Sequence, residues 1–364
     1  MAIFSDEAVK VVAEGIKNGR AVAGPFDIQI MPVDYCNLMC RFCPIQAVPE
    51  TVKEKFAPRF RTDCVKMEWS IFEKIVEGLI ELGPVERVHI TGGEPLLHPE
   101  IGLMVKELKE RLKVPHLAVV TNGVYLVEKA ESLVSGRVDK IILSLNSVEP
   151  KTRAILSAGE HPEDMEKISA GLRKFNSLRK NRKPSLAISS VLTRYNYMEV
   201  NSQFEFARKF SADSLTFLPL MLFKYGDTVS NEKLMLDEKQ FESFLRELEI
   251  VSKKEKKSHI WVGYSGNSTD MGVLRSPNLG KVPCYAGFAF AVFWPDGSVR
   301  ACCNCDEVMG NLYCQSLSEI WHDEKYARFR LELLHTPTRR GGCSCHECGY
   351  IYENREIFER ITTL

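Results

Sequence analysis

Between residues 26 and 218, short apolar runs alternate with stretches whose apolar residues recur every three or four positions. Few folds accommodate that order. Candidate strands are 26–32, 87–91, 117–121, 140–145, 186–192 and 214–218. Helical patterns fill 70–82, 99–112, 127–135, 162–177 and 202–210, the first marked by Ile71, Ile75, Leu79 and Leu82. Strand and helix in repetition build parallel βαβ units, so the expected class is α/β. Six strands rather than eight point to a partial (β/α)6 TIM-like barrel. In such folds chemistry collects at the C-terminal ends of strands. Cys36 and the segments 91–95, 121–123 and 144–147 all fall at or just after predicted strand ends.

Beyond the alternating region, a long charged helical pattern spans about 237–257 and leads into a Gly/Ser/Asn-rich stretch. Residues 288–301 read as a hairpin turning at Pro295, Asp296 and Gly297. The expected organisation is therefore an N-terminal helical extension (1–25), a barrel core (26–230), a helical bridge (231–283) and a small C-terminal hairpin/helix unit (284–364).

Lys plus Arg equals Asp plus Glu at 48 each, so no net field invites nucleic acid or a membrane surface. The first twenty residues carry charges throughout, and no stretch has the roughly 18–20 apolar residues of a membrane span. A cytoplasmic protein without nucleic-acid or membrane partners is expected. In that compartment twelve cysteines indicate metal or redox chemistry rather than a disulfide framework. Eleven of the twelve lie in the first 43 residues or the last 81, leaving Cys64 alone between.

Cys36, Cys40 and Cys43 are spaced by three and then two residues. Thiolates in tight loops bind iron–sulfur clusters or tetrahedral zinc. A cubane has four irons, so three cysteines leave one iron open to a reacting partner. The motif, with Phe42 before its last cysteine, resembles the signature of the radical S-adenosylmethionine (SAM) superfamily. The resemblance implies a [4Fe–4S] cluster completed by the amine and carboxylate of SAM. One electron then cleaves SAM to a 5′-deoxyadenosyl radical.

Gly92, Gly93 and Glu94 follow the second predicted strand. Two glycines allow close backbone approach to a ligand. In the resembled superfamily this motif holds the SAM amine. The resemblance also places Phe42 beside the adenine and Ser144 at the ribose. Ser144 here begins Ser-Leu-Asn-Ser where the superfamily often has Ser-Leu-Asp-Gly. Arg153 is either a partner of the SAM carboxylate or an exposed helix arginine, and Asn122 either faces the cofactor or supplies turn geometry.

Near the C-terminus, Cys284, Gly297 and Cys302 precede a distant Cys345-x2-Cys348, with Met309-Gly310-Asn311-Leu312 and Leu317-Ser318-Glu319-Ile320-Trp321 between. Cys302-x2-Cys305 with Cys345-x2-Cys348 can also be read as a structural zinc ribbon. The arrangement resembles the SPASM/Twitch auxiliary-cluster domain found within radical SAM enzymes. That resemblance implies a second, auxiliary [4Fe–4S] cluster on Cys284, Cys302, Cys345 and Cys348. Cys303, Cys305, Cys314 and Cys343 are left unassigned.

The implied activity is hydrogen abstraction from a small-molecule or peptide substrate, with the auxiliary cluster handling electrons supplied by a flavodoxin- or ferredoxin-type donor. The outcome is either small-molecule dehydrogenation or peptide modification. No catalytic base is assigned. The opposing reading is a non-catalytic iron–sulfur or zinc protein with a C-terminal ribbon.

Overall fold

In the computed structural model, residues 3–43, 65–222, 224–225, 228–229, 231–255, 259–266, 282–305, 307–335 and 348–363 are described. Their strands, in chain order, are β1 (Asp27–Ile30), β2 (Met39–Cys40), β3 (Arg87–Ile90), β4 (His116–Thr121), β5 (Lys140–Ser144), β6 (Ser157–Ala158) and β7 (Ser185–Val191). Next come β8 (Ser214–Leu218), β9 (Lys224–Tyr225), β10 (Thr228–Val229), β11 (Trp261–Tyr264), β12 (Phe290–Phe293), β13 (Ser298–Arg300) and β14 (Val308–Asn311). One sheet takes the order β11-β8-β7-β5-β4-β3-β1-β12-β13-β14. Every pairing from β11 to β12 is parallel.

The six strands expected from sequence are all present, because each is buried and therefore apolar in sequence. Ile28, Val88, Val119, Ile141, Leu186 and Leu215 sit in one continuous core. Helices Trp69–Leu82, Ile101–Glu110, Leu126–Ser135, Asp164–Leu178 and Val200–Lys209 supply the crossovers. The N-terminal helix Asp6–Asn18 has clear local causes. The Ser5 side chain accepts from the Ala8 amide at its start, and Gly19 ends it with φ 66°.

Two of the features that sequence reading missed lie beside the core strands. The seven-residue helix Pro150–Leu156 follows β5, and β11 adds a seventh parallel strand beside β8. β11 is an edge strand whose Trp261 is exposed, so it lacks the apolar run that marks a buried strand.

The hairpin β12–β13 is joined to the parallel sheet. β12 pairs in parallel with β1, Asp27 opposite Phe290 and Ile30 opposite Phe293. Gly297, at φ 77°, makes the turn. Helices Leu317–His322, Glu324–His335 and Ile351–Ile361 close over this end. Ser316 and Glu319 start the first with a reciprocal capping box.

Buried polar side chains tie these helices to the core. Trp321 Nε1 donates to the Ala23 carbonyl at 2.8 Å. Arg330, 1% exposed, donates to the carbonyls of Gly287 (2.6 Å) and Trp321 (2.8 Å). Its guanidinium also lies over the Trp321 and Tyr326 rings at 4.3 and 4.2 Å. Arg87 joins Asp27 of the neighbouring strand at 2.6 Å and Glu353 of the last helix at 3.1 Å. Among the described residues, no helix is long and apolar enough to cross a membrane.

Candidate active site

The loop after β1 carries Cys36, Cys40 and Cys43, at the C-terminal edge of the parallel sheet. Two neighbours hold it. β2 pairs antiparallel with β6, setting Cys40 opposite Ser157, and the Arg41 amide donates to the Leu156 carbonyl at 2.9 Å. On the other side lie Gly92 and Gly93. The Gly93 amide donates to the Val33 carbonyl at 3.0 Å, and the Glu94 amide to the Tyr35 carbonyl at 2.9 Å.

These bonds sharpen the role of the glycines. Gly92 has φ 123°, and a Cβ there would meet the Val33 carbonyl oxygen at 2.9 Å. On Gly93 a Cβ would come within 1.9 Å of the Tyr35 carbonyl oxygen. The close approach is to the backbone of the cysteine loop itself, immediately before Cys36.

Glu94 is 1% exposed, and burial pushes its carboxyl up to about 7. Its Oε1 accepts from the Leu96 amide (3.0 Å) and Thr121 Oγ1 (2.7 Å), and its Oε2 from the Asn122 amide (2.8 Å). The carboxylate is thus engaged inside the protein, bracing the end of β4 against the glycine turn. Asn122 reaches back to the cysteine loop, with Nδ2 at 2.8 Å from Asn37 Oδ1 and 3.7 Å from Cys36 Sγ.

A narrow crevice beside Cys40 is lined by Phe42, Ser144, Asn146, Arg153 and Glu160. Three residues singled out from sequence on separate elements therefore meet in one place. Arg153 is buried rather than exposed. It bonds the carbonyls of Leu145 (3.1 Å) and Ser147 (3.0 Å) and pairs with Glu160 at 2.5 Å. Asn146, at φ 59°, accepts from the Val191 amide through Oδ1 at 2.9 Å, which links the ends of β5 and β7.

Next to the crevice is a cavity of about 380 Å³. One wall is Phe42, Cys43, Thr91 and Gly92, and another is Trp294, Cys303 and Asn304. The adjacent Cys302 faces a different space, a small apolar cavity of about 30 Å³ shared with Cys284, Cys305 and Cys348. Cys345, Cys343 and Cys64 lie outside the described residues. Cys314 is exposed. Sequence spacing did not show that neighbouring cysteines 302 and 303 serve different cavities, nor that Cys305 joins Cys284 and Cys348.

A family model of the radical SAM superfamily matches residues 30–189, and one of SPASM, an iron–sulfur cluster-binding domain, matches 284–349. The chain is a radical SAM protein with a SPASM domain. Its curated relatives include GTP 3′,8-cyclase 3 of Mycobacterium bovis, 28% identical over 193 residues, 51% of this chain and 47% of the relative. GTP 3′,8-cyclase of Petrotoga mobilis is 33% identical over 147 residues, covering 40% and 42%. This chain thus covers about half the length of these relatives or less.

Among solved structures, Streptococcus suis SuiB bound to precursor peptide SuiA shares the fold. Its TM-score is 0.63 at 19% identity, over 94% of this chain and 73% of that one. The anSMEcpe structure with bound AdoMet gives 0.63 at 17% identity, over 93% and 94%.

A radical SAM domain implies a [4Fe–4S] cluster and SAM, and a SPASM domain implies an auxiliary cluster. The donor set around the first loop fits. Burial pushes the Cys36 and Cys40 thiols up to about 12, so their thiolates need a cationic centre to be stable there. Among the described residues, no three His, Cys, Asp or Glu side chains converge tightly enough for one bare ion.

Proposed function

We propose that this radical SAM enzyme abstracts hydrogen from a substrate held in the 380 Å³ cavity, with Cys36, Cys40 and Cys43 seating the SAM-binding cluster. When bound, the cluster and SAM supply a carbon radical strong enough to attack an unactivated C–H bond. Phe42, Ser144, Asn146 and Arg153 bound the crevice for the nucleoside part of SAM, and the backbone around Gly92–Glu94 faces its methionyl end. Cys284, Cys302 and Cys348, with Cys345 by resemblance, hold the auxiliary cluster.

The observation that carries this reading is the position of the cavity. Cys43 and Gly92 form one side, while Cys303 and Asn304, directly after Cys302, form another. A substrate there lies between the two cysteine sets, so an electron left after hydrogen abstraction has a short route to the auxiliary site. That layout supports net two-electron oxidation of a small molecule or peptide. The reductant is a flavodoxin or ferredoxin. The relatives' activity on GTP makes a purine nucleotide the second substrate class.

Anaerobically reconstituted protein given dithionite and SAM is expected to form 5′-deoxyadenosine. Adding candidate alcohols, peptides or GTP in separate reactions identifies the substrate class by the one that accelerates it. An iron-loaded chain that forms none contradicts the enzyme reading.

A further inference from the structure

We infer that Asn122 donates a hydrogen bond to the Cys36 thiolate and thereby sets how readily the cluster on that loop accepts its electron. This rests on the reading of Cys36 as a ligand of the SAM-binding cluster. The side chain is held from three directions. Its own backbone amide donates to Glu94 Oε2 at 2.8 Å, which fixes the end of β4. Its Oδ1 accepts from the Val124 amide at 3.0 Å, so the other end of the carboxamide, Nδ2, must face the cysteine loop. There it finds Asn37 Oδ1 at 2.8 Å and Cys36 Sγ at 3.7 Å. An amide nitrogen carries two hydrogens, and these are its two acceptors.

The Cys36 and Cys40 sulfurs are not treated alike. Cys36 Sγ also receives the Leu38 amide at 3.4 Å. Cys40 Sγ lies 3.5 Å from the Ser157 hydroxyl, which is shared with the Ala158 carbonyl at 3.2 Å. Reduction of an iron–sulfur cluster adds negative charge, part of which spreads onto the thiolates. An N–H aimed at one of them stabilises the reduced form and raises the potential. A neutral hydrogen bond of ordinary net strength changes the ratio of reduced to oxidised cluster about fivefold at a fixed potential. The rigid bracing of Asn122 means that this donor need not be reorganised when the electron arrives.

The test is an EPR-monitored redox titration of the whole, anaerobically reconstituted chain. The cluster in question is the one whose signal changes when SAM is added. Asn122→Ala is expected to lower the ratio of reduced to oxidised cluster about fivefold at the wild-type midpoint, from one half of those clusters reduced to about one sixth, with the auxiliary cluster unmoved. Asn122→Asp keeps the shape and the Val124 contact but sets a carboxylate beside the sulfur, so it should shift the same cluster further in the same direction. If the alanine variant loads too little iron, the aspartate variant decides. A fully loaded variant with an unmoved or raised midpoint overturns the inference. Cys36→Ala separates the two levels of the argument. It should abolish the SAM-responsive signal, and if that signal survives, Cys36 is not a ligand and the inference falls with that reading.

Discussion

Gly93 and Tyr35 lie so close that a methyl group on the glycine would come within 1.9 Å of the tyrosine carbonyl oxygen. The glycine turn and the cysteine loop are therefore one structural unit. Its two strands of backbone are joined by the bonds from Gly93 to Val33 and from Glu94 to Tyr35.

Gly93→Ala should consequently damage the cluster before it damages the fold. The alanine Cβ meets backbone, which cannot swing aside as a flexible side chain can. The cysteine loop must move. Iron is expected to fall from about eight per chain to about four, the auxiliary cubane being retained. Iron and sulfide assays, with circular dichroism to confirm folding, check this.

Glu94 gives the apo protein a pH dependence with a definite sign. Its carboxyl titrates near 7 in the folded state against an ordinary 4.5, burial being the largest cause. The folded chain therefore holds a proton that the unfolded chain has released. Between those values stability falls as pH rises, by about 3 kcal/mol at most. Denaturant titrations of apo protein from pH 4.5 to 7.5 should show this loss, and Glu94→Gln should flatten it.

Arg330 is a structural cation. Burial lowers it to about 10, and its donors satisfy two main-chain carbonyls that have no access to water. Arg330→Ala strands both and opens a cavity beneath Trp321, so a loss of about 3 kcal/mol or more is expected. Urea unfolding of the apo chain measures it.

Cys302 and Cys303 should separate by phenotype. Cys302→Ala is expected to lose the auxiliary cluster, since Cys302 shares its cavity with Cys284 and Cys348. Cys303→Ala should keep full iron and alter only substrate conversion, because its side chain lines the larger cavity. Iron analysis of the two variants side by side tests the assignment, and equal iron loss in both would contradict it.

Much of this architecture was legible because parallel strands buried on both faces write apolar runs into the sequence. The core strands from β1 to β8 were found for that reason, and β11, an edge strand with Trp261 exposed, was missed for the same one. The resemblance implied that Phe42 and Ser144 share a nucleoside site, while Arg153 was left between a cofactor partner and an exposed helix arginine. Which partner each side chain takes was not legible. Whether Arg153 is exposed depends on Glu160 and on the carbonyls of Leu145 and Ser147, three contacts set by a short helix that sequence pattern did not show. Likewise, spacing alone cannot say that residues 302 and 303 face different cavities, since that depends on how the chain passes between two packed elements.

The most direct test of the central claim is 5′-deoxyadenosine formation by the anaerobically reconstituted chain with dithionite and SAM. The wild type and the Cys302→Ala variant should both cleave SAM, while Cys36→Ala, Cys40→Ala and Cys43→Ala should each form none above background. Deoxyadenosine from any of those three variants, or its absence from an iron-loaded wild type, would contradict the account.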